Sequence, residues 1–292
     1  MTSLAVPSLL SRLRKWTVVR ILAYVAALAA VVVASGVATR ILIPPAPSVQ
    51  RHDLLLLANL CSAAVLLAVY ALMVRLLERR SATELNLRRG LALLPIGAAL
   101  GAALMGTVYL VLWALGDAHF AIGTGWDGLG GSLVAMFAAA VLEELAMRAV
   151  LFRLIEQASG TAVGVLVSAV VFGLLHAINP GATAIDVAAV AIEAGVGLAL
   201  AFALTRNLWL TIGLHAAWNF TEGSVFGAQV SGGTDPHSLF RATLTGPDLL
   251  TGGAFGPEGS IVAIALFVVF SAILAAMVVR RGQWRGLRSP SP

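Results

Sequence analysis

Two adjacent glutamates and an arginine, Glu143-Glu144-Leu145-Ala146-Met147-Arg148, follow a stretch that reads Leu-Val-Ala-Met-Phe-Ala-Ala-Ala-Val-Leu. Carboxylates set that deep in an apolar helix are costly, and they persist where something pairs, solvates or uses them. Two later apolar stretches each add a histidine. His176 closes Phe172-Gly173-Leu174-Leu175-His176, and His215 opens His215-Ala216-Ala217-Trp218-Asn219. A carboxylate with two imidazoles supports two kinds of hydrolysis. Glu143, His176 and His215 could hold a divalent metal such as zinc, with an open position for water. Alternatively Glu143 acts directly as general base on water, helped by one imidazole, while the other imidazole and the Asn219 amide stabilise an oxyanion.

Helical spacing sorts these groups. Glu144 and Arg148 are four residues apart, share a face and can form an ion pair. Glu143 lies about 100° round the helix from Glu144, which leaves it free to face a polar cavity. Glu144–Arg148 is then structural or orienting and Glu143 is free for the cavity; the alternative is that all three merely hold helices together. His215 and Asn219 also stand one turn apart on one face, and two unpartnered polar groups there would be expensive in lipid. At about 1.5 Å per residue, Glu143, His215 and Asn219 fall within roughly 6 Å of mid-span, with His176 nearer one end. Glu193 is a further candidate for the cavity or for pairing with a neighbouring helix, whereas Asp186 and Glu222 sit near helix ends and are expected to reach water. A metal site usually needs partners behind each ligating histidine. The neighbours Leu175, Ala177, Leu214 and Ala216 offer few and Glu193 could supply one, so the spacing favours the glutamate route and leaves the metal open.

The elements that must hold these residues are membrane helices. Hydrophobic residues make up 59% of the chain and charged residues 11%, against about 25% charged in a soluble domain; the mean hydropathy is +0.94. A helix needs about 20 apolar residues to cross a hydrocarbon core. Eight runs approach that length: Ile21–Ala38, Leu54–Met73, Leu91–Leu115, Leu133–Leu154, Ala162–Ile178, Ala184–Leu204, Leu208–Phe226 and Ile261–Val279. The expected fold is therefore all-α, a polytopic bundle of about eight transmembrane helices over 1–292, with no separate soluble domain.

The pI of about 10.3 would suit nucleic-acid binding, but the charges sit at alternate helix ends. Basic residues cluster at Arg12, Arg14, Lys15 and Arg20, at Arg75, Arg79, Arg80, Arg88 and Arg89, and at Arg280, Arg281, Arg285 and Arg288. The loop 116–131 has none, and 227–259 has only Arg241. The positive-inside rule then puts both termini in the cytosol. A multi-pass protein of the cell (inner) membrane is expected, with the lipid bilayer rather than nucleic acid as its surroundings. Cys61, the single cysteine, has no disulfide partner in the chain and reads as a small packing residue. The first apolar run reads as a retained helix rather than a cleaved signal, with Pro44-Pro45 as the turn after it. Ser81-Ala82-Thr83-Glu84 fits a capping box. The glycine- and proline-rich segment 227–259 reads as irregular or mobile.

HExxH, GxSG and GxGD signatures are absent, which removes the familiar metalloprotease, rhomboid and presenilin patterns. What is present is EExxxR, then FxxxH, then HxxxN, in that order on successive helices. This combination resembles the CAAX-protease and bacteriocin-processing family (CPBP, or Abi) of intramembrane proteases, over about 133–226. The approach Asn207-Leu208-Trp209-Leu210 into Gly213 and His215 resembles that family as well. The resemblance implies an intramembrane endopeptidase acting on a membrane-embedded or membrane-proximal peptide. It implies Glu143 as the water-activating base, His176 as its assistant, His215 and Asn219 as the oxyanion site, and Glu144 and Arg148 as support. Family members are described both with and without a metal, so the cofactor is either none or a divalent ion. One lysine among 19 basic residues hints at a GC-rich bacterial source, where prenylated CAAX substrates are not expected. Competing readings are a non-enzymatic scaffold or bacteriocin-immunity protein that keeps the polar cluster for structure, a haem bundle ligated by His176 and His215, and a proton-coupled transporter.

Overall fold

The computed structural model describes residues 16–43, 49–234 and 236–287. Arg12, Arg14, Lys15, Arg288 and the Pro44-Pro45 turn lie outside them. Each of the eight apolar runs falls on a helix. α1 is Thr17–Leu42, α2 is Val49–Met73 with a π-helical turn Val74–Glu78, and α3 is Leu87–Leu115. α4 occupies 129–159 as Leu129–Glu144, a π-helical stretch Leu145–Phe152 and Arg153–Ser159. α5 is Thr161–His176, and α6 is Ala184–Val190, π-helical Ala191–Leu198 and Ala199–Thr205. α7 is Leu208–Phe220 with a π-helical turn Thr221–Val225, and α8 is Ile261–Arg280. Five stretches are long and apolar enough to cross a membrane: Thr17–Leu42, Arg51–Glu78, Leu87–Leu115, Ala184–Thr205 and Ile261–Arg280. Thr161–His176 is apolar but shorter. Outward-facing Leu22, Val33, Leu57, Leu72, Val170 and Val269 leave the bundle's outer surface apolar, as a lipid-facing surface must be. Cys61 belongs to that surface: it is exposed on α2 and packs into no core.

The two ends of the bundle differ. At one end, loops and helix termini are joined by ion pairs. Arg153 at the end of α4 contacts Glu78 at the end of α2 (2.6 Å), and Glu156 pairs with Arg206 after α6 and with Arg285 after α8 (3.9 Å to the latter). Arg80 and Arg285 of the basic clusters meet acids at this end. The capping box expected at Ser81–Glu84 does not form there. A 3-10 turn, Thr83–Leu85, starts after Ala82 without a side-chain cap, because the Glu84 carboxylate is taken by Arg80 (2.8 Å) and Tyr70 instead. Burial pushes the Glu84 carboxyl up, but the hydrogen bonds from Arg80 and Tyr70 and the charge of Arg153 outweigh it and hold the group below its ordinary value.

At the other end the two long loops fold together. Ala118–Ile122 (β1) pairs antiparallel with Phe240–Leu244 (β2), from Ala118 opposite Leu244 to Ile122 opposite Phe240. Segment 227–259 is thus built rather than irregular. It carries β2, a helical turn Asp248–Thr251 and a 3-10 turn Pro257–Gly259 that leads to Ser260, the N-cap of α8 (Ala263 N donates to Ser260 Oγ, 3.1 Å). Asp186 and Glu222, expected at the water edge, are buried. Asp186 completes a capping box with Thr183 at the start of α6. Glu222 accepts from the Glu258 backbone N–H (2.9 Å).

Small residues set the distances between the helices that carry the polar groups. A Cβ on Gly97 or Gly101 of α3 would lie 2.1 Å from the carbonyl oxygens of Leu210 and Leu214 of α7. The GxxxG pair therefore lets the α3 and α7 backbones touch, the usual device for close helix packing in membranes. Their N-termini are also tied together: Asn207 Nδ2 donates to Asn86 O (3.1 Å) and Trp209 Nε1 to Leu85 O (3.3 Å). This clamp fixes the height and rotation of α7, and with them His215 and Asn219.

Candidate active site

Glu143, His176, His215 and Asn219, from α4, α5 and α7, line one cavity of about 190 Å³. That is room for several water molecules. Glu193 of α6 lines it as well, so four helices converge. The Glu143 side chain keeps 35% of its surface, whereas those of Glu144 and Arg148 keep none. The placement expected from helical spacing is observed: the ion pair Glu144 Oε1–Arg148 Nη1 (2.9 Å) is sealed, and Glu143 faces the cavity.

The sealed pair also reaches further than spacing along one helix could show. Glu144 Oε1 lies 3.0 Å from His215 Nδ1, and Glu143 Oε2 lies 3.7 Å from His215 Nε2. The imidazole sits between two neighbouring carboxylates of α4, one on each ring nitrogen. Arg148 continues the chain outward. Its Nη2 donates to the Ala194 carbonyl of α6, and its guanidinium carbon stands 4.9 Å from the centre of the Phe172 ring on α5. One buried arginine therefore ties three helices together. α4 turns π-helical at Leu145, directly after the glutamate pair, and α6 is π-helical across Glu193. Such turns recur at functional positions because the widened helix re-aims its side chains.

His176 is held differently. Its Nδ1 is 2.9 Å from the Phe172 carbonyl and its ring lies 4.7 Å from the Phe172 ring, which in turn meets His215 edge-on at 6.2 Å. The sequence neighbours offered few partners for the histidines' second nitrogens, with Glu193 as one candidate. The partners are others: the Glu144 carboxylate behind His215 and the Phe172 carbonyl behind His176. Partners behind the histidines are therefore present, and among the described residues Glu143, His176 and His215 are not gathered into a set that could hold a metal ion.

Among the cavity residues that the sequence reading did not propose are Trp218, Ser231 and Glu258. Trp218, one turn from His215, stands edge-on to Phe267 at 5.0 Å. Its Nε1, however, donates to Glu258 Oε2 (3.4 Å), and Ser231 Oγ donates to the other oxygen of the same carboxylate. Nothing in a loop rich in glycine and proline marked Ser231 or Glu258 as cavity residues.

No curated protein and no solved structure matches the chain. Residues 125–221 match the family model described as "Type II CAAX prenyl endopeptidase Rce1-like". The matched segment contains EExxxR, FxxxH and HxxxN and runs from α4 into α7, four of the helices that line the cavity. Over that segment, the chain is similar to the type II CAAX prenyl endopeptidase family.

Proposed function

We propose that this protein is an intramembrane endopeptidase that hydrolyses a peptide bond in or near the bilayer, with Glu143 as the base that activates water. The observation that carries the reading is the convergence of Glu143, His176, His215 and Asn219 on one water-sized cavity between membrane helices. Glu143 has the exposure and the free carboxylate to take a proton from water. The Phe172 carbonyl can only accept, so His176 Nδ1 carries the proton and Nε2 is left as an acceptor to assist. His215 faces acceptors on both nitrogens, and in its doubly protonated form it offers Nε2–H beside the Asn219 amide as an oxyanion donor. Glu144 and Arg148 orient His215 and stay out of the chemistry. The proton that Glu143 takes from water is then available to the leaving amine. The eight helices all cross the bilayer in this reading, with both termini on the cytosolic side of the cell membrane.

Comparison of membrane proteomes from cells carrying wild-type and Glu143→Gln protein tests the activity. Peptides cut near a membrane boundary are expected only with the wild type. Identical proteomes would favour the scaffold or immunity reading.

A further inference from the structure

The cavity has a second acidic wall that the proposed hydrolysis does not use. Glu193 is 3% exposed, lines the cavity, and its Oε1 has no hydrogen-bond partner. Glu258, 5% exposed, faces the same space, but its two oxygens are satisfied by Trp218 and Ser231. Glu222 lies behind them and accepts from the Glu258 backbone. With Glu143 the described cavity lining carries three carboxyl groups, no lysine and no arginine. Arg148 of α4 is already matched by Glu144. A desolvated carboxylate left without donor or counter-charge is destabilising, and low-dielectric walls focus its field on whatever enters. These carboxylates do not form a set that could hold a metal ion. A guanidinium or ammonium group entering the cavity would supply that donor and counter-charge.

We propose that Glu193, backed by Glu258, is a specificity subsite that receives a guanidinium or ammonium side chain of the substrate beside the scissile bond. The subsite rests on the protease reading for its purpose but not for its detection. Glu258, already holding two donors, adds negative potential without competing for the cation, and Glu193 supplies the free oxygen that a guanidinium N–H can bond. Substrates would then carry an arginine or lysine within an otherwise apolar segment.

Binding to the full-length Glu143→Gln protein in detergent tests this, because that background removes both turnover and the competing charge. The probes are two fluorescent apolar decapeptides, identical except for one central arginine or its neutral isostere citrulline. The arginine peptide is expected to bind about tenfold or more tightly, in line with a charged hydrogen bond. Glu193→Gln in the same background should bring the ratio close to one, and Glu193→Leu should do the same. The thermal midpoint of both variants should be equal to or above the parent's, since an unpaired buried acid is lost. Equal binding of the two peptides at the outset would overturn the subsite. So would a preference that survives both Glu193 variants, or a clear fall in thermal midpoint, which would show that Glu193 is paired after all. If the Glu193-dependent preference holds but wild-type protein cuts neither peptide nor any membrane protein, the subsite stands and the protease reading falls.

Discussion

The two ends of the bundle treat buried charge in opposite ways. At the end where α2, α4, α6 and α8 terminate, carboxylates meet cations: Glu78 with Arg80 and Arg153, Glu84 with Arg80, and Glu156 with Arg206 and Arg285. At the cavity, Glu193 has an oxygen with no partner, and Glu143 has only an imidazole edge 3.7 Å away. A saturated network can do little except hold helices together. An unsaturated one costs stability, and it persists where a substrate or a reaction supplies the missing partner. Glu144–Arg148 lies between these regimes: saturated like the paired end, yet it positions His215 of the cavity.

The largest effects should come from breaking that intermediate pair. Arg148→Ala leaves Glu144 buried without its counter-charge and Glu144→Ala does the reverse, each at about 3–5 kcal/mol. Thermal or denaturant unfolding of the two single variants and the double variant measures the coupling. The double variant should be far less damaged than the sum of the singles. Strict additivity would mean that the two residues do not act as a pair.

On the unsaturated side, Asn219→Ala should lower cleavage by about 10²–10³-fold, as removal of one oxyanion donor does. Its thermal midpoint should stay close to wild type. A variant with unchanged turnover would take Asn219 out of the site.

The paired end should instead show itself in acid. Because the folded-state value of the Glu84 carboxyl lies below its ordinary one, its stabilising contribution is present above the unfolded value of about 4.3 and fades as pH falls through the folded value. Glu84→Gln should flatten the acid limb of the thermal midpoint measured between about pH 7 and pH 3.5. The same steepness in both proteins would place the acid-sensitive group elsewhere. Arg80→Ala should have the smallest effect: its side chain is 30% exposed, and loss of such a partly solvated pair typically costs about 1 kcal/mol or less.

Much of this organisation was legible in the chain and some was not, for physical reasons. Helix positions followed from apolar length, and the Glu144–Arg148 pair from i,i+4 spacing, because both are local properties. The contact of Glu144 with His215 joins residues 71 apart, and no periodicity within one helix encodes it. Helix depth judged from sequence placed Asp186 and Glu222 at water. The ordered loop 227–259 covers that end, and both are buried. That loop looked irregular because its order comes from pairing with a distant strand, not from its own propensity. Thr83 and Glu84 carry a capping signature, but the nearby Arg80 and Tyr70 bind the carboxylate more strongly than a backbone N–H does. Cys61 is small enough for a core, yet the outer face of a membrane helix accepts it just as well.

In the proposed mechanism Glu143 supplies the base while Glu144, its neighbour, supplies only position. Cleavage of a membrane-embedded reporter by purified wild-type and Glu143→Gln protein, with thermal midpoints recorded on the same samples, tests it most directly. The account predicts loss of essentially all cleavage with a thermal midpoint unchanged from wild type. Retention of a tenth or more of wild-type cleavage by a folded Glu143→Gln protein would contradict it.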